Sequence, residues 1–141
     1  MTSDGSPEVR QLRLVVEVED FDEAIAFYRD VLGLTQEFFD ESEGEDDARV
    51  MGLQAGRATL EITTPTQRRI VDQLEVGREV GRKFRVAFEV TDAVSATERL
   101  VEGGAELLAS PVETPWRSLN SRLEAPAGLQ ITLFEELEDP R

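Results

Sequence analysis

The chain has 141 residues, of which 40% are hydrophobic and 32% are charged, values typical of one globular domain rather than of a disordered chain. It contains no cysteine and no histidine, which excludes disulfides, thiolate metal sites, cysteine nucleophiles and histidine general bases. With 30 acidic and 15 basic residues the formal net charge is −15, which argues against nucleic acid and against an anionic membrane as partners.

The distribution of charge along the chain indicates a cytoplasmic protein. The longest uncharged stretch, residues 125–134, is shorter than the roughly 18 residues that a membrane span needs. Residues 1–7 lack the basic and apolar regions of a signal peptide. Two acidic runs, residues 40–47 and 135–139, are expected to form a solvated loop and a solvated tail. Residues 1–10 are expected to be disordered.

The first half of the chain predicts a β-α-β-β-β module over residues 11–65. A β-rich run at residues 12–18 has one apolar face and one charged face, and the charged face carries Arg13 and Glu17. Asp20 can cap the helix that follows. An apolar stripe of that helix is expected to face the sheet and consists of Phe21, Ala24, Ile25, Tyr28, Val31 and Leu32. The next strands are predicted at residues 35–39, 49–54 and 58–63.

The second half repeats the first with an offset of 72 residues and predicts a second module over residues 83–137. Residues 12–28 and 84–100 share five identities in 17 positions, so that Arg85 and Glu89 repeat the charged face of the first strand. The later strands of this module are predicted at residues 106–110, 118–124 and 129–135.

Together the two modules predict an α+β fold with a cupped mixed sheet around a cleft. They make a single domain over residues 11–137, and residues 66–82 join them as a short helix or as irregular structure. Because the charged strand faces line the concave side, we expect the function to reside there.

Four segments of the sequence resemble the vicinal oxygen chelate superfamily, which contains glyoxalases, bleomycin-resistance proteins and extradiol dioxygenases. The segments are residues 20–34 (DFDEAIAFYRDVLGL), 58–63 (ATLEIT), 85–90 (RVAFEV) and 125–135 (APAGLQITLFE). The resemblance covers residues 12–137 and implies the paired-module fold. It also implies a homodimer, because such relatives often pair.

In the metal enzymes of that superfamily, the first and last strands of each module carry the metal ligands. Matching by motif puts these positions at Arg13, Glu61, Arg85 and Thr132. Only Glu61 is a ligand of the expected kind, because a guanidinium keeps its proton and has no lone pair to donate. We therefore expect no metal and no cofactor.

Three interpretations of this cluster stay open. Arg13, Glu61 and Arg85 can form a structural ion-pair network, or one arginine can be available for the carboxylate or phosphate of a ligand. A shifted set of oxygen ligands can also retain a metal. Glu17 and Glu89 lie on the same faces, where they either pair with the arginines or bind a cationic group.

The resemblance places further large side chains where strands and loops border the cleft, namely Phe38, Phe39, Met51 and Trp116. The candidate ligand-binding residues are therefore Arg13, Glu17, Glu61, Arg85, Glu89, Trp116 and Thr132. No residue is identified as catalytic.

The function that the resemblance implies is metal-free binding of a small molecule, with an aromatic or cationic, antibiotic-like ligand sequestered in the cleft. The negative net charge would steer a cationic ligand to the protein. The alternative is a metal-dependent, glyoxalase-like lyase, isomerase or dioxygenase. A third hypothesis is a regulatory partner without a ligand, in which side chains would fill the cleft.

Overall fold

Two β-α-β-β-β modules form one eight-stranded mixed sheet, which confirms the predicted fold class. The computed structural model describes residues 8–137. The strands are β1 (Val9–Glu17), β2 (Thr35–Glu41), β3 (Arg49–Ala55), β4 (Ala58–Thr63), β5 (Phe84–Val90), β6 (Glu106–Glu113), β7 (Ser118–Ala125) and β8 (Leu129–Glu136). The helices are α1 (Phe21–Ile25, continuing as a π-helix over Ala26–Val31), α2 (Pro65–Glu75) and α3 (Ala93–Glu102).

The antiparallel pairing of β1 with β5 lies at the centre of the sheet, whose strand order is β2-β3-β4-β1-β5-β8-β7-β6. In each module the first strand also pairs in parallel with the last strand. Across the centre, Arg13 lies opposite Ala87 and Val15 lies opposite Arg85. The offset of 72 residues converts each of these pairs into the other. An approximate twofold axis therefore relates the two modules.

The helix of each module begins at the aspartate that the repeat predicts. Asp20 accepts a hydrogen bond from the backbone N–H of Glu23 at 2.9 Å, and Asp92 accepts one from Ser95 at 3.0 Å. These bonds satisfy N–H groups that the first turn of a helix leaves unpaired.

The second half of α1 departs from the predicted apolar stripe. Phe21 and Ile25 are buried, but Val31 and Leu32 are 75% and 59% exposed. After Ile25 the chain continues as a π-helix, in which the N–H of Leu32 bonds to the carbonyl of Phe27. Because the wider turn breaks the period of 3.6 residues, the last two members of the stripe rotate away from the sheet.

Two apolar clusters hold the helices α1 and α3 on the convex face of the sheet. The first cluster contains Phe21, Ile25, Met51, Leu53 and Ile62. The second contains Val90, Ala93, Ala96, Leu123, Ile131 and Leu133. Two expectations about the border of the cleft are therefore wrong, because Met51 belongs to the first cluster and the Phe39 ring lies 6.3 Å from that of Phe21. Alternation along β2 sends Phe38 to the concave side instead.

The first strand begins earlier than predicted. Val9 pairs with Val90, and the backbone N–H of Glu8 donates to the hydroxyl of Thr91 at 2.9 Å. Residues 9 and 10 thus belong to the sheet rather than to a disordered segment, because β5 offers them partners. The rest of that predicted segment, residues 1–7, lies outside the described residues. Over residues 8–137 we find no helix with the length and apolarity that crossing a membrane requires.

The segment that joins the modules forms α2, which lies across the concave face of the sheet. The Thr64 hydroxyl caps its N-terminus, and Pro65 is its first residue. Arg68 of α2 donates to Glu17 of β1 at 2.8 Å, so the helix is bound to the side of the sheet that carries the charged residues. One end of the cup is therefore closed by α2.

A buried ion-pair network fixes the other end of α2 to the sheet. Arg122 of β7 donates to Asp72 at 2.9 Å and to Glu75 at 2.6 Å, and these three side chains are at most 2% exposed. Asn120, on the same face of β7, donates to Glu75 at 2.8 Å. Buried charges that are paired in this way hold an element in one position, because removing one partner leaves the other uncompensated.

Asp72 should make the stability of the fold depend on pH. Burial disfavours the charge of Asp72, but the backbone N–H of Gly81 and the Arg122 guanidinium outweigh it, so the pKa of this carboxyl lies below its ordinary 3.8. A group with a depressed pKa stabilises the folded state above its unfolded value, and the contribution is lost as pH falls through the folded value. Asp72→Asn should therefore lower the free energy of unfolding by roughly 3 kcal/mol at neutral pH.

Urea denaturation of the parent and of Asp72→Asn at several pH values measures the difference between their free energies of unfolding. This difference should shrink below pH 3.8. Asp46→Asn, in the exposed loop after β2, is the matched control and should change stability by less than about 0.5 kcal/mol. A difference between Asp72→Asn and the parent that is the same at all pH values would contradict the prediction.

Candidate functional site

A cavity of about 590 Å³ opens on the concave face of the sheet, a size that is usual for small-molecule sites. Its lining consists of Arg13, Glu61, Arg85, Ala87, Trp116, Arg117, Ser118, Asn120, Thr132, Phe134, Glu136 and Leu137. Five of the seven candidate ligand-binding residues are in this lining. The other two, Glu17 and Glu89, are not.

Several lining residues are not among the candidates from the sequence, although alternation along the strands identifies them. Ala87 follows Arg85 by two residues, and Phe134 and Glu136 follow Thr132 by two and four. On β7 the same alternation supplies Ser118 and Asn120.

Arg13 is neutralised within its own module. Its Nη1 donates to Glu61 at 3.3 Å, its Nη2 lies 3.5 Å from a carboxylate oxygen of Glu37, and its Nε donates to Gln11 at 2.8 Å. Two rings complete its surroundings, each with its centroid 5.5 Å from the guanidinium carbon, those of Phe38 and Phe134. The geometry is that of cation–π contacts, so carboxylates and ring faces together compensate the charge of Arg13.

Arg85 has no such counterion. Its Nη1 donates to the hydroxyl of Thr132 at 2.9 Å, and over residues 8–137 no carboxylate forms a salt bridge with it. Burial, and then the positive charge of Arg122, lower the pKa of Arg85, while Glu61 and other carboxylates oppose this shift only from a distance. Arginine nevertheless keeps its proton in proteins, so Arg85 presents a poorly compensated positive charge to the cavity.

The difference between the two arginines follows from one pair of equivalent positions. Val15 lies opposite Glu61 of β4, and its counterpart Ala87 lies opposite Thr132 of β8. Glu61 and Thr132 therefore occupy the same place in the two modules. Because a threonine stands where the first module has a glutamate, the second arginine lacks the counterion of the first.

Comparison with known proteins identifies the family. A family model described as "Glyoxalase/Bleomycin resistance protein/Dioxygenase superfamily" matches residues 10–133. The chain belongs to this superfamily. The resemblance that the sequence motifs indicate is thus confirmed. None of the curated protein sequences matches the chain.

Solved structures of the superfamily share the fold of this chain. A hypothetical protein, BH1468 from Bacillus halodurans C-125, is 16% identical with a TM-score of 0.67, over 96% of this chain and 99% of the other. A methylmalonyl-CoA epimerase variant from Streptomyces coelicolor, solved with 2-nitronate-propionyl-CoA, is 18% identical with a TM-score of 0.67, over 93% and 100%. Methylmalonyl-CoA epimerase from Mycobacterium tuberculosis is 19% identical with a TM-score of 0.63, over 92% and 88%. At these identities the similarity concerns the fold alone.

The four positions that carry metal ligands in enzymes of the superfamily do not fit a divalent cation here. Arg13 and Arg85 cannot ligate a metal and would repel it, and the one carboxylate, Glu61, is already bonded to Arg13. Elsewhere in residues 8–137, no three acidic side chains come together as a possible metal site. The chemistry available to the cavity is therefore hydrogen bonding and charge rather than metal ligation.

The remaining candidate residues, Glu17 and Glu89, do not pair with the arginines of the cavity. Glu17 accepts from Arg68 of α2 rather than from Arg13 or Arg85. Burial, and then the charge of Glu136, raise the pKa of Glu89. Neither carboxylate compensates Arg85.

Trp116 stands at the mouth of the cavity, in the turn between β6 and β7. Its side chain is 45% exposed. The next residue, Arg117, has a φ of 64° and donates to Glu113 at 2.8 Å. Since Trp116 is the only tryptophan in the sequence, its fluorescence reports on this cavity alone.

Arg13 and Glu61, which form an ion pair, should differ in how much each contributes to the free energy of unfolding. Arg13→Gln leaves two neighbouring carboxylates without their shared cation and should lower the free energy of unfolding by about 1–3 kcal/mol. Glu61→Gln leaves Arg13 paired with Glu37 and should cost at most about 1 kcal/mol, because these side chains retain some exposure.

Urea denaturation at neutral pH decides the order of the two losses. Arg10→Gln is the matched control, since Arg10 lies on the same strand but its side chain is 60% exposed. A larger loss for Glu61→Gln than for Arg13→Gln would show that Arg13 does not neutralise two carboxylates.

Proposed function

We propose that this protein binds a small organic molecule in the concave cavity without a metal, and that it acts by sequestering the molecule. The observation that carries the proposal is the replacement of metal-ligand types by Arg13, Arg85 and Thr132 around a cavity of about 590 Å³. Eight of the twelve lining residues are polar or charged and two are aromatic, so the cavity offers hydrogen-bonding groups together with some apolar surface.

The cavity volume favours ligand binding over a regulatory protein without a ligand. In the latter, side chains would fill the cleft, whereas here only one end is closed, by α2. One residue favours the alternative function, a metal-dependent lyase, isomerase or dioxygenase. Glu61, on the last strand of its module, has a carboxylate that can ligate a metal. The first test below separates this alternative from the proposal.

Metal ions should not bind at the centre of the site. Calorimetric titration of tag-free, EDTA-treated protein with zinc, nickel or manganese should show no stoichiometric binding, because two guanidiniums repel the ion. Glu61→Gln should behave like the parent in the same titration. Binding of one ion per chain with sub-micromolar affinity that Glu61→Gln abolishes would contradict the proposal and favour the enzyme.

Ligand binding is tested by a thermal-shift screen of organic acids, amines and neutral compounds in EDTA. At least one compound should raise the melting temperature and change the fluorescence of Trp116. Trp116→Phe is the control, in which the thermal shift should persist while the fluorescence change disappears. A broad screen in which no compound raises the melting temperature would overturn the proposed function.

We also propose that the chain forms a homodimer. Its support is a group of apolar side chains on the convex face of the central strands, since Leu12, Leu14 and Phe84 are 41%, 37% and 55% exposed. Light scattering at micromolar concentration should give about twice the chain mass of 15.8 kDa. The monomer mass would contradict the proposal.

An antibiotic-like ligand, a cytoplasmic location and the exclusion of nucleic acid and membrane partners stay predictions.

A further inference from the structure

Three arginines lie on the concave face of the sheet, Arg13, Arg85 and Arg122. They differ in the number of carboxylates that each contacts. Arg122 and Arg13 each contact two carboxylates. Arg85, between them in the sheet, contacts none over residues 8–137 and donates one hydrogen bond, to Thr132. Among these three arginines of the concave face, Arg85 is therefore the one without a carboxylate in contact.

The energetics and the geometry of the Arg85 guanidinium both favour binding of an anion. Removing a charge from water is unfavourable unless an opposite charge accompanies it, and the lowered pKa of Arg85 reflects this cost. Arg85 lines the cavity, and one of its N–H donors is used by Thr132. Guanidinium donors form a planar fork that matches the two oxygens of a carboxylate.

We infer that Arg85 binds the carboxylate of the ligand, in the place that Glu61 fills beside Arg13 in the first module. The inference rests on the proposed small-molecule binding and names the ligand class. Thr132 is equivalent to Glu61 by strand register, so the space that its shorter side chain leaves is that of one carboxylate. The lining holds three arginines and two glutamates, a formal charge of +1, which a single negative charge on the ligand balances. A monoanion fits these charges better than a phosphate dianion.

The rest of the lining favours a flat, apolar body for this ligand. Phe134 and Ala87 are only 8% and 4% exposed in the floor of the cavity, and Trp116 stands at its mouth. The Phe134 ring is covered by the Arg13 guanidinium, so Trp116, which is 45% exposed, is the ring that can pack against a flat ligand. The ligand class is therefore an aromatic monocarboxylate.

Two probes with the same ring system test the inference, 2-naphthoate and its uncharged amide 2-naphthamide. Calorimetric titration should show that the parent binds the carboxylate at least about tenfold more tightly than the amide. Arg85→Gln should remove this preference and leave the affinity for the amide unchanged. Arg99→Gln, on the exposed side of α3, makes the same change of net charge on the opposite face of the sheet and should keep the preference.

A second variant supplies the missing carboxylate within the chain. Thr132→Glu should place a carboxylate beside Arg85 and abolish the preference for 2-naphthoate, while the melting temperature is kept or raised. Thr132→Gln has nearly the same size without the charge and should retain a preference within about threefold of the parent. Because Thr132→Glu should lose the preference for the carboxylate and keep its fold, it separates loss of the anion site from unfolding.

The outcomes distinguish this inference from the proposed function. Equal affinities of the parent for the two probes, or a preference that survives Arg85→Gln or Thr132→Glu, would overturn the inference and leave small-molecule binding intact. If no aromatic acid binds but another class of compound does, the inference about Arg85 is wrong and small-molecule binding still holds. If compounds of no class bind, both the inference and the proposed function fail.

Discussion

The antiparallel register of β1 with β5 positions the functional side chains of this protein. Because Arg13 lies opposite Ala87 and Val15 opposite Arg85, both arginines come to the middle of one face. Each module then adds its last strand in parallel, which brings Glu61 and Thr132 to equivalent places beside them. A slip of one residue in this register would turn one of the two arginines towards the apolar clusters on the convex face. The arrangement of the site thus depends on the central pairing together with one parallel pairing in each module.

The superfamily fold is retained here, while the side chains differ at the positions that the resemblance assigns to metal ligands. Metal enzymes of the superfamily hold a cation between the two modules, whereas this chain carries two fixed guanidiniums there. A metal ion accepts lone pairs from its ligands, and a guanidinium donates hydrogen bonds to an anion. The asymmetry between Glu61 and Thr132 then decides which of the two guanidiniums is available. Arg13 is compensated within the chain, and Arg85 is the arginine to which we assign the ligand.

Local patterns predicted much of the fold, but the contacts that close the cup depend on distant residues. Hydrophobic alternation, the aspartate caps and the repeat of 72 residues were sufficient to place Arg13 and Arg85 on one face. The position of α2 was not predictable in this way, because it depends on Arg122, which is 50 residues from Asp72 and 47 from Glu75. No short-range pattern indicates which of 30 acidic residues pairs with a given arginine. The π-helical end of α1 likewise follows no periodic signal.

The central claim, that a ligand carboxylate binds Arg85 rather than Arg13, is tested most directly by NMR of the arginine Nε–Hε groups. The Arg85 signal is assigned by its loss in Arg85→Gln, and the spectra are followed during titration with 2-naphthoate. We expect the Arg85 signal to move downfield to saturation. The Arg13 signal should stay in place, because its Nε already donates to Gln11 at 2.8 Å. Movement of the Arg13 signal with Arg85 unchanged would contradict the account.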